Sequence, residues 1–128
     1  MCWRILDYVN ERKENEIRGW IRSLPPQARA KISDRILLLQ AWPDKTWPLQ
    51  YFSALRGYKG IYEFRIVSSG VQYRPLGCYG PGEREYTLLV GAIEKGGKLE
   101  PPGAGDTAIR RRGIIWEDRS RVQDHEFS

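Results

Sequence analysis

A chain of 128 residues and 14.9 kDa, 41% hydrophobic, can bury one core and is too short for two ordinary domains. It has no apolar run of transmembrane length, and Met1-Cys2-Trp3-Arg4 lacks the apolar stretch of a secretory signal, so a cytoplasmic protein without a membrane span is expected. Cys2 and Cys78 lie far apart, and the single histidine, His125, stands in a polar segment near the carboxyl end, where it reads as a solvated tail residue; neither a metal site nor a catalytic triad is expected. The formal charge is +5, and because Glu117–Ser128 holds four acids against two arginines, residues 1–116 carry about +7, an excess that suits a polyanionic partner.

The pattern predicts a first strand over residues 3–9, then a helix in which Ile17, Trp20, Ile21 and Leu24 recur at helical spacing until Pro25-Pro26 ends it. Pro26 suits the first turn of a second helix, whose buried stripe is Ala28, Ile32, Ile36 and Leu39, and Trp42-Pro43 closes it. This helical hairpin must bury its stripe against a sheet. After a loop holding Asp44, Pro48 and the anchors Trp47, Leu49, Tyr51 and Phe52, three strand-like runs follow: residues 61–68, 71–78 and 86–94. Ser69-Gly70 and Gly80-Pro81-Gly82 mark the turns, and the third run, apolar on both faces, reads as central. Gly96-Gly97 breaks that strand, and Asp106 caps a short helix through Arg112 that stops at Gly113. The expected fold is α+β, in the order β-α-α-β-β-β with a short C-terminal helix: one domain over residues 1–116 and a disordered acidic tail over 117–128.

A two-residue turn at Ser69-Gly70 pairs Ser68 with Val71 and sets Arg65 directly opposite Arg74. The other face of the same strands then carries Tyr62, Phe64, Ile66, Val71 and Tyr73, an apolar set suited to the helices. A three-residue loop would turn Arg74 toward the core, at a cost of roughly several kcal/mol for an unpaired charge. Like charges directly opposite each other destabilise a sheet by roughly 0.2–1 kcal/mol, so the pair needs a partner. A phosphate between the two guanidiniums would relieve the repulsion, and so would Glu63, Glu85 or Glu94 in an ordinary ion-pair network. Lys95 and Lys98 stand where they can extend the same basic face, Arg110-Arg111-Arg112 follows on the last helix, and Tyr58, Tyr73 and Tyr79 are candidates for stacking on RNA bases.

The run Leu55-Arg56-Gly57-Tyr58-Lys59-Gly60-Ile61-Tyr62-Glu63-Phe64-Arg65-Ile66, followed by Tyr73-Arg74-Pro75-Leu76-Gly77, resembles the core of the RelE/ParE toxin superfamily, and is closest to its phage-derived, HigB-like branch. Leu89–Lys95 and Ala108–Arg111 resemble that branch's last strand and terminal helix. The resemblance implies a RelE-like fold and a toxin held by a cognate antitoxin, a small helix-turn-helix protein. It also implies a ribosome-dependent endoribonuclease that cleaves mRNA by 2′-hydroxyl attack without a metal or other cofactor. On this resemblance Arg65, Arg74 and Lys95 take the electrostatic role, Glu63 is a candidate base, and Arg56, Lys59, Tyr73, Tyr79, Lys98 and Arg111 contact RNA. ParE-like relatives share the fold and inhibit gyrase, and a phage-derived protein that keeps the fold without either activity is the other alternative.

Overall fold

The computed structural model describes residues 3–43 and 47–127. Cys2 and the loop residue Asp44 lie outside them. The chain forms β1 (Arg4–Tyr8), α1 (Glu16–Arg22), α2 (Pro26–Gln40), β2 (Phe52–Ala54), β3 (Tyr62–Phe64), β4 (Ile66–Ser68), β5 (Val71–Tyr73), β6 (Leu76–Tyr79), β7 (Glu85–Val90), β8 (Ile93–Lys95), β9 (Lys98–Glu100), α3 (Ala104–Glu117) and β10 (Val122–Asp124), with a 3-10 turn at Arg119–Arg121. The protein is α+β: three helices and two antiparallel-rich sheets. One sheet has six strands in the order β10-β1-β7-β6-β3-β2, the other four in the order β4-β5-β8-β9.

Local chemistry sets the helix bounds. The Asn15 side chain accepts the Arg18 N–H and caps α1, and Pro26 opens α2, where its missing N–H costs nothing. The predicted stripe of Ala28, Ile32, Ile36 and Leu39 is buried and packs with Trp3, Ile5, Phe64, Ile66, Tyr73, Tyr86 and Leu88. On the opposite face α3 lays Ala104, Ala108 and Ile115 on Tyr8, Ile61, Leu76, Cys78 and Leu89. Leu88 and Leu89 of β7 thus feed different clusters, as strand alternation requires, and β7 is central and buried throughout, between β1 and β6. The architecture is three layers: a helix pair, the sheets, and a single helix.

The hairpin keeps the predicted register. Ser68 pairs with Val71, and Ser69 and Gly70 take φ of 50° and 78°, the two positive values that a two-residue turn of this hand requires. What the pattern did not show is that each long run is divided between two sheets. Glu63 pairs with Leu76 in one sheet and Ile66 with Tyr73 in the other, so the same register runs through the joint. At the joint Pro75 has no N–H to give; the Phe64 N–H reaches the Pro75 carbonyl at 3.0 Å, and the return bond cannot form. Arg65 and Arg74 sit at this joint and turn their N–H groups outward, to Tyr51 and Ala92.

Two expectations are corrected. The C-terminal helix begins at Ala104 rather than Asp106 and runs through Gly113 to Glu117, because Ile115, wholly buried, rewards another turn beyond the glycine. The expected disordered tail is instead, over its described residues 117–127, an ordered strap: β10 pairs antiparallel with β1, and the side chains of Asp124, His125 and Glu126 meet Arg4, Asp7 and Arg18. Acidic composition concealed this, since acids of the strap have partners in the body of the protein. Asp124 meets Arg4 at 2.8 Å and Glu126 meets Arg18 at 3.1 Å.

Candidate functional site

Glu63 and Arg65 are two residues apart along an extended strand and therefore share a face; Arg74 lies across from Arg65 on the same face. The β5–β8 pairing sets Gln72 opposite Glu94 and brings that carboxylate alongside. The β8–β9 hairpin, turned by Gly96 and Gly97 with φ of 56° and 80°, returns with Lys98 at its start. The loop before β3 contributes Arg56, and α3 arrives with Gly103–Gly105 at its N-terminus. These pieces enclose an open pocket of about 440 Å³, bordered by Arg56, Glu63, Arg65, Glu94 and Lys98. Tyr58 forms part of the wall: its ring occupies the space that a side chain on Gly105 would need, 2.5 Å from the position of an added Cβ.

The two arginines differ in depth. The Arg74 side chain is 8% exposed, and its Nε lies 3.6 Å from Glu63 and 3.5 Å from Glu94. Those are ion-pair contacts without hydrogen-bond geometry, and the guanidinium is oriented instead by bonds to the Gln72 side chain at 2.7 Å and to the Tyr73 carbonyl at 3.1 Å. Arg65 is 47% exposed and reaches Glu63 at 3.3 Å. Glu63, itself buried, also receives the Ser53 hydroxyl at 3.5 Å. Of the two readings of the arginine pair, the ion-pair network is the one present: Glu63 and Glu94 hold Arg74, while Arg65, paired with Glu63, remains at the pocket surface. Arg56, Arg65, Arg74 and Lys98 outnumber the two carboxylates, and the N-terminal end of α3 adds partial positive charge at the rim.

Other predicted site residues lie elsewhere. Lys95 is exposed at the β8–β9 turn and pairs with Glu100 at 3.8 Å, outside the pocket lining. Lys59 is exposed on the Tyr58–Gly60 turn and also lies off the lining. Tyr73 is a correction: it is 4% exposed, packed into the helical side of the core, and offers no face to a base. Arg111 is another: its Nη1 donates to the Leu89 carbonyl at 2.8 Å and its Nη2 to Glu16 at 3.0 Å, so it ties α3 to β7 and α1. Tyr79 is half-buried among Trp3, Trp47 and Tyr62, away from the cationic pocket, and burial raises its phenol pKa. Burial likewise pushes the Cys78 thiol up to about 12, which keeps it protonated and unreactive at neutral pH. Among the described residues no cluster of three or more His, Cys, Asp or Glu side chains is placed to hold a metal ion, and no helix is long and apolar enough to cross a membrane.

The His125 side chain, expected in a solvated tail, is buried. It is 3% exposed, and its Nδ1 lies 2.8 Å from the carboxylate of Asp7, which is 1% exposed and also receives Asn15 at 2.8 Å. The alternation across residues 122–126, with Val122 apolar and His125 the only ring before Phe127, was too short to distinguish from a loop. Gly103–Gly105, which the sequence did not place in the pocket, were hidden by setting the helix start too late.

The pocket and its fold fall within a family defined by sequence. The family described as phage derived protein Gp49-like (DUF891) matches residues 19–112, a span that takes in every pocket residue, and the chain belongs to it. It is a RelE-like toxin family. No curated protein and no solved structure matches the chain.

Proposed function

We propose that the chain is a toxin that binds messenger RNA on the ribosome and cleaves it, with the pocket beside Glu63 and Arg65 as the reaction site. The observation that carries this reading is the company kept by one buried carboxylate: Glu63 sits at the wall of a cavity that also presents Arg56, Arg65 and Lys98, three cations against the part-exposed carboxylate of Glu94. A phosphodiester seated there would place its non-bridging oxygens on Arg65, whose planar donors match two oxygens at once. Glu63 is the group in reach to accept the proton of the ribose 2′-hydroxyl. As that oxygen bonds to phosphorus, the bond to the 5′-oxygen breaks, and the leaving oxygen takes a proton from solvent. The products are a 2′,3′-cyclic phosphate and a 5′-hydroxyl end. Arg65 and its cationic neighbours stabilise the charge that grows on the phosphoryl oxygens, a contribution of roughly 10²–10³ in rate for one well-placed donor. Arg74 is a positioning residue: it fixes Glu63 from behind.

A toxin needs restraint in its own cell, and the excess positive charge around the pocket fits a small antitoxin with an acidic segment. The test is purified protein added to bacterial ribosomes programmed with a defined message, with cleavage mapped by primer extension. Cuts within the ribosome-bound codons that disappear in Arg65→Ala are the expected result. An intact message, together with blocked gyrase supercoiling, would replace this reading with that of a gyrase inhibitor.

A further inference from the structure

A second concavity lies at the far end of β6 and β7. The loop Gly80–Arg84 and the rings of Trp3, Tyr79 and Trp116 enclose a cleft of about 540 Å³. Trp3, 3% exposed, is deeply buried beside it, whereas Trp116, on the last turn of α3, is 47% exposed, with the Arg112 guanidinium over one face of its ring at 4.8 Å. The Trp116 indole lies on the loop backbone itself: a Cβ on Gly80 would fall 2.2 Å from its ring. Arg84 borders the cleft with φ of +61°, a left-handed conformation that costs a non-glycine residue energy and is retained only where its surroundings impose it.

Polar groups at this cleft lack acceptors. The Trp3 Nε1 and the Arg84 Nη1 are buried with no hydrogen-bond partner among the described residues. The Arg84 guanidinium lies over the Trp3 ring at 5.3 Å and makes no ion pair among those residues. Glu85, the nearest buried carboxylate, is committed to the Gly82 N–H at 2.7 Å and to Arg119 at 3.0 Å. Aromatic walls and a guanidinium that makes no ion pair among the described residues suit a flat ligand that carries a negative charge on the Arg84 side, away from the carboxylates of Glu83 and Glu85 on the same lining.

We propose that this cleft holds an unpaired nucleobase of single-stranded RNA, stacked on Trp116, with Arg84 on the adjoining phosphate. The assignment rests on the RNA reading of the cationic pocket and adds a second contact to it. A smaller concavity of about 300 Å³ bordered by Tyr62 lies between the two, sharing Ala54 with the cationic pocket and Tyr79 with the cleft, beside the edge strand β2. A strand of RNA following it would have its phosphate in one site and a neighbouring base in the other. Base–aromatic stacking tolerates any sequence, so the cleft would add affinity without choosing a codon.

The experiment is titration calorimetry of the full chain with adenosine monophosphate and with an adenosine hexanucleotide. Trp116→Ala should weaken both about tenfold or more, Trp116→Phe should restore most of the loss, and Arg84→Gln should weaken the monophosphate, while adenosine titrated as a phosphate-free control should bind Arg84→Gln as it binds wild type. Urea midpoints of the variants show whether each remains folded. Equal binding of the monophosphate and the hexanucleotide by wild type and a folded Trp116→Ala protein overturns the proposal. Hexanucleotide binding that is lost in Arg65→Ala but untouched by Trp116→Ala also overturns it, and leaves the cationic pocket standing. Trp116-dependent binding without ribosome-dependent cleavage supports the cleft and rejects the nuclease reading.

Discussion

Arg65 and Arg74 face each other across one hairpin, yet one is 47% exposed and the other 8%. Register accounts for their adjacency and says nothing of their depth. Depth comes from what lies beside each strand. Arg74 has β8 as its outer neighbour, with Glu94 and the Ala92 carbonyl against it, whereas Arg65 looks outward past β2, the edge strand of its sheet, into the pocket. The same side chain is therefore a buried counter-ion on one strand and a surface donor on the other. The contrast separates two jobs that a basic pair at a phosphate site is often assumed to share: one arginine builds the site and the other meets the substrate.

Removing the buried member should have the largest effect. Arg74→Ala takes from the buried Glu63 one of its two arginines among the described residues and leaves Glu94 to solvent, and we expect a loss of about 2–3 kcal/mol, read as a lowered urea midpoint. Arg74→Lys keeps the charge but not the bonds to Gln72 and Tyr73, so an intermediate loss is expected. If Arg74→Ala unfolds at the wild-type midpoint, Arg74 is not the structural partner. The exposed member should behave in reverse. Arg65→Ala should leave stability within about 0.5 kcal/mol, since its contact with Glu63 is half-exposed, while reducing ribosome-dependent cleavage by roughly 10²–10³. Cleavage by Arg65→Ala at the wild-type rate would move the reaction out of this pocket.

The strap supplies a control for the comparison, because its buried pair borders neither the cationic pocket nor the aromatic cleft. His125→Ala removes one of the two partners that the buried Asp7 carboxylate has among the described residues, and should cost about 1–3 kcal/mol in unfolding free energy with cleavage unchanged. A His125→Ala protein with wild-type stability would mean that the strap docks through β10 and its exposed ion pairs alone.

How much of this was legible in the sequence follows the same division between local and lateral information. The Ser69-Gly70 turn and the alternation of Tyr62, Phe64 and Ile66 settle the hairpin, because turn chemistry and a period of two are written within a few residues. The helix stripe from Ala28 to Leu39 is equally local. Nothing local states that Pro75 ends one sheet and leaves another to begin, that α3 starts at the Gly103–Gly105 rim of the pocket, or that a polar C-terminal segment closes on β1. Those features depend on partners far away in the chain: Asp7 for His125, Tyr58 for Gly105, Glu94 for Arg74. The candidate site was therefore legible in its residue types and only partly in its geometry. Glu63 and Arg65 share one side of the hairpin as its alternation suggested, and Arg56 and Lys98, from outside the hairpin, border the same pocket, while Tyr73 and Arg111 are occupied in the core and in tying helices together.

Lys98 gives the finest test of the distinction between building and binding. It begins β9, is exposed, and borders the same pocket as Arg65, but it holds no carboxylate there in an ion pair among the described residues. Its charge should act on RNA through the field rather than through a fixed bond. Lys98→Ala should then leave stability unchanged and weaken binding of an RNA oligonucleotide modestly at low salt, with the slope of log affinity against log salt reduced by about 1, as expected when one fewer phosphate is neutralised. A pure field effect disappears as salt shortens its reach to about 8 Å at physiological ionic strength, so the variant and wild-type curves should converge as salt rises. Curves that stay parallel would place Lys98 off the RNA path and leave Arg56 and Arg65 as the groups that meet the phosphate.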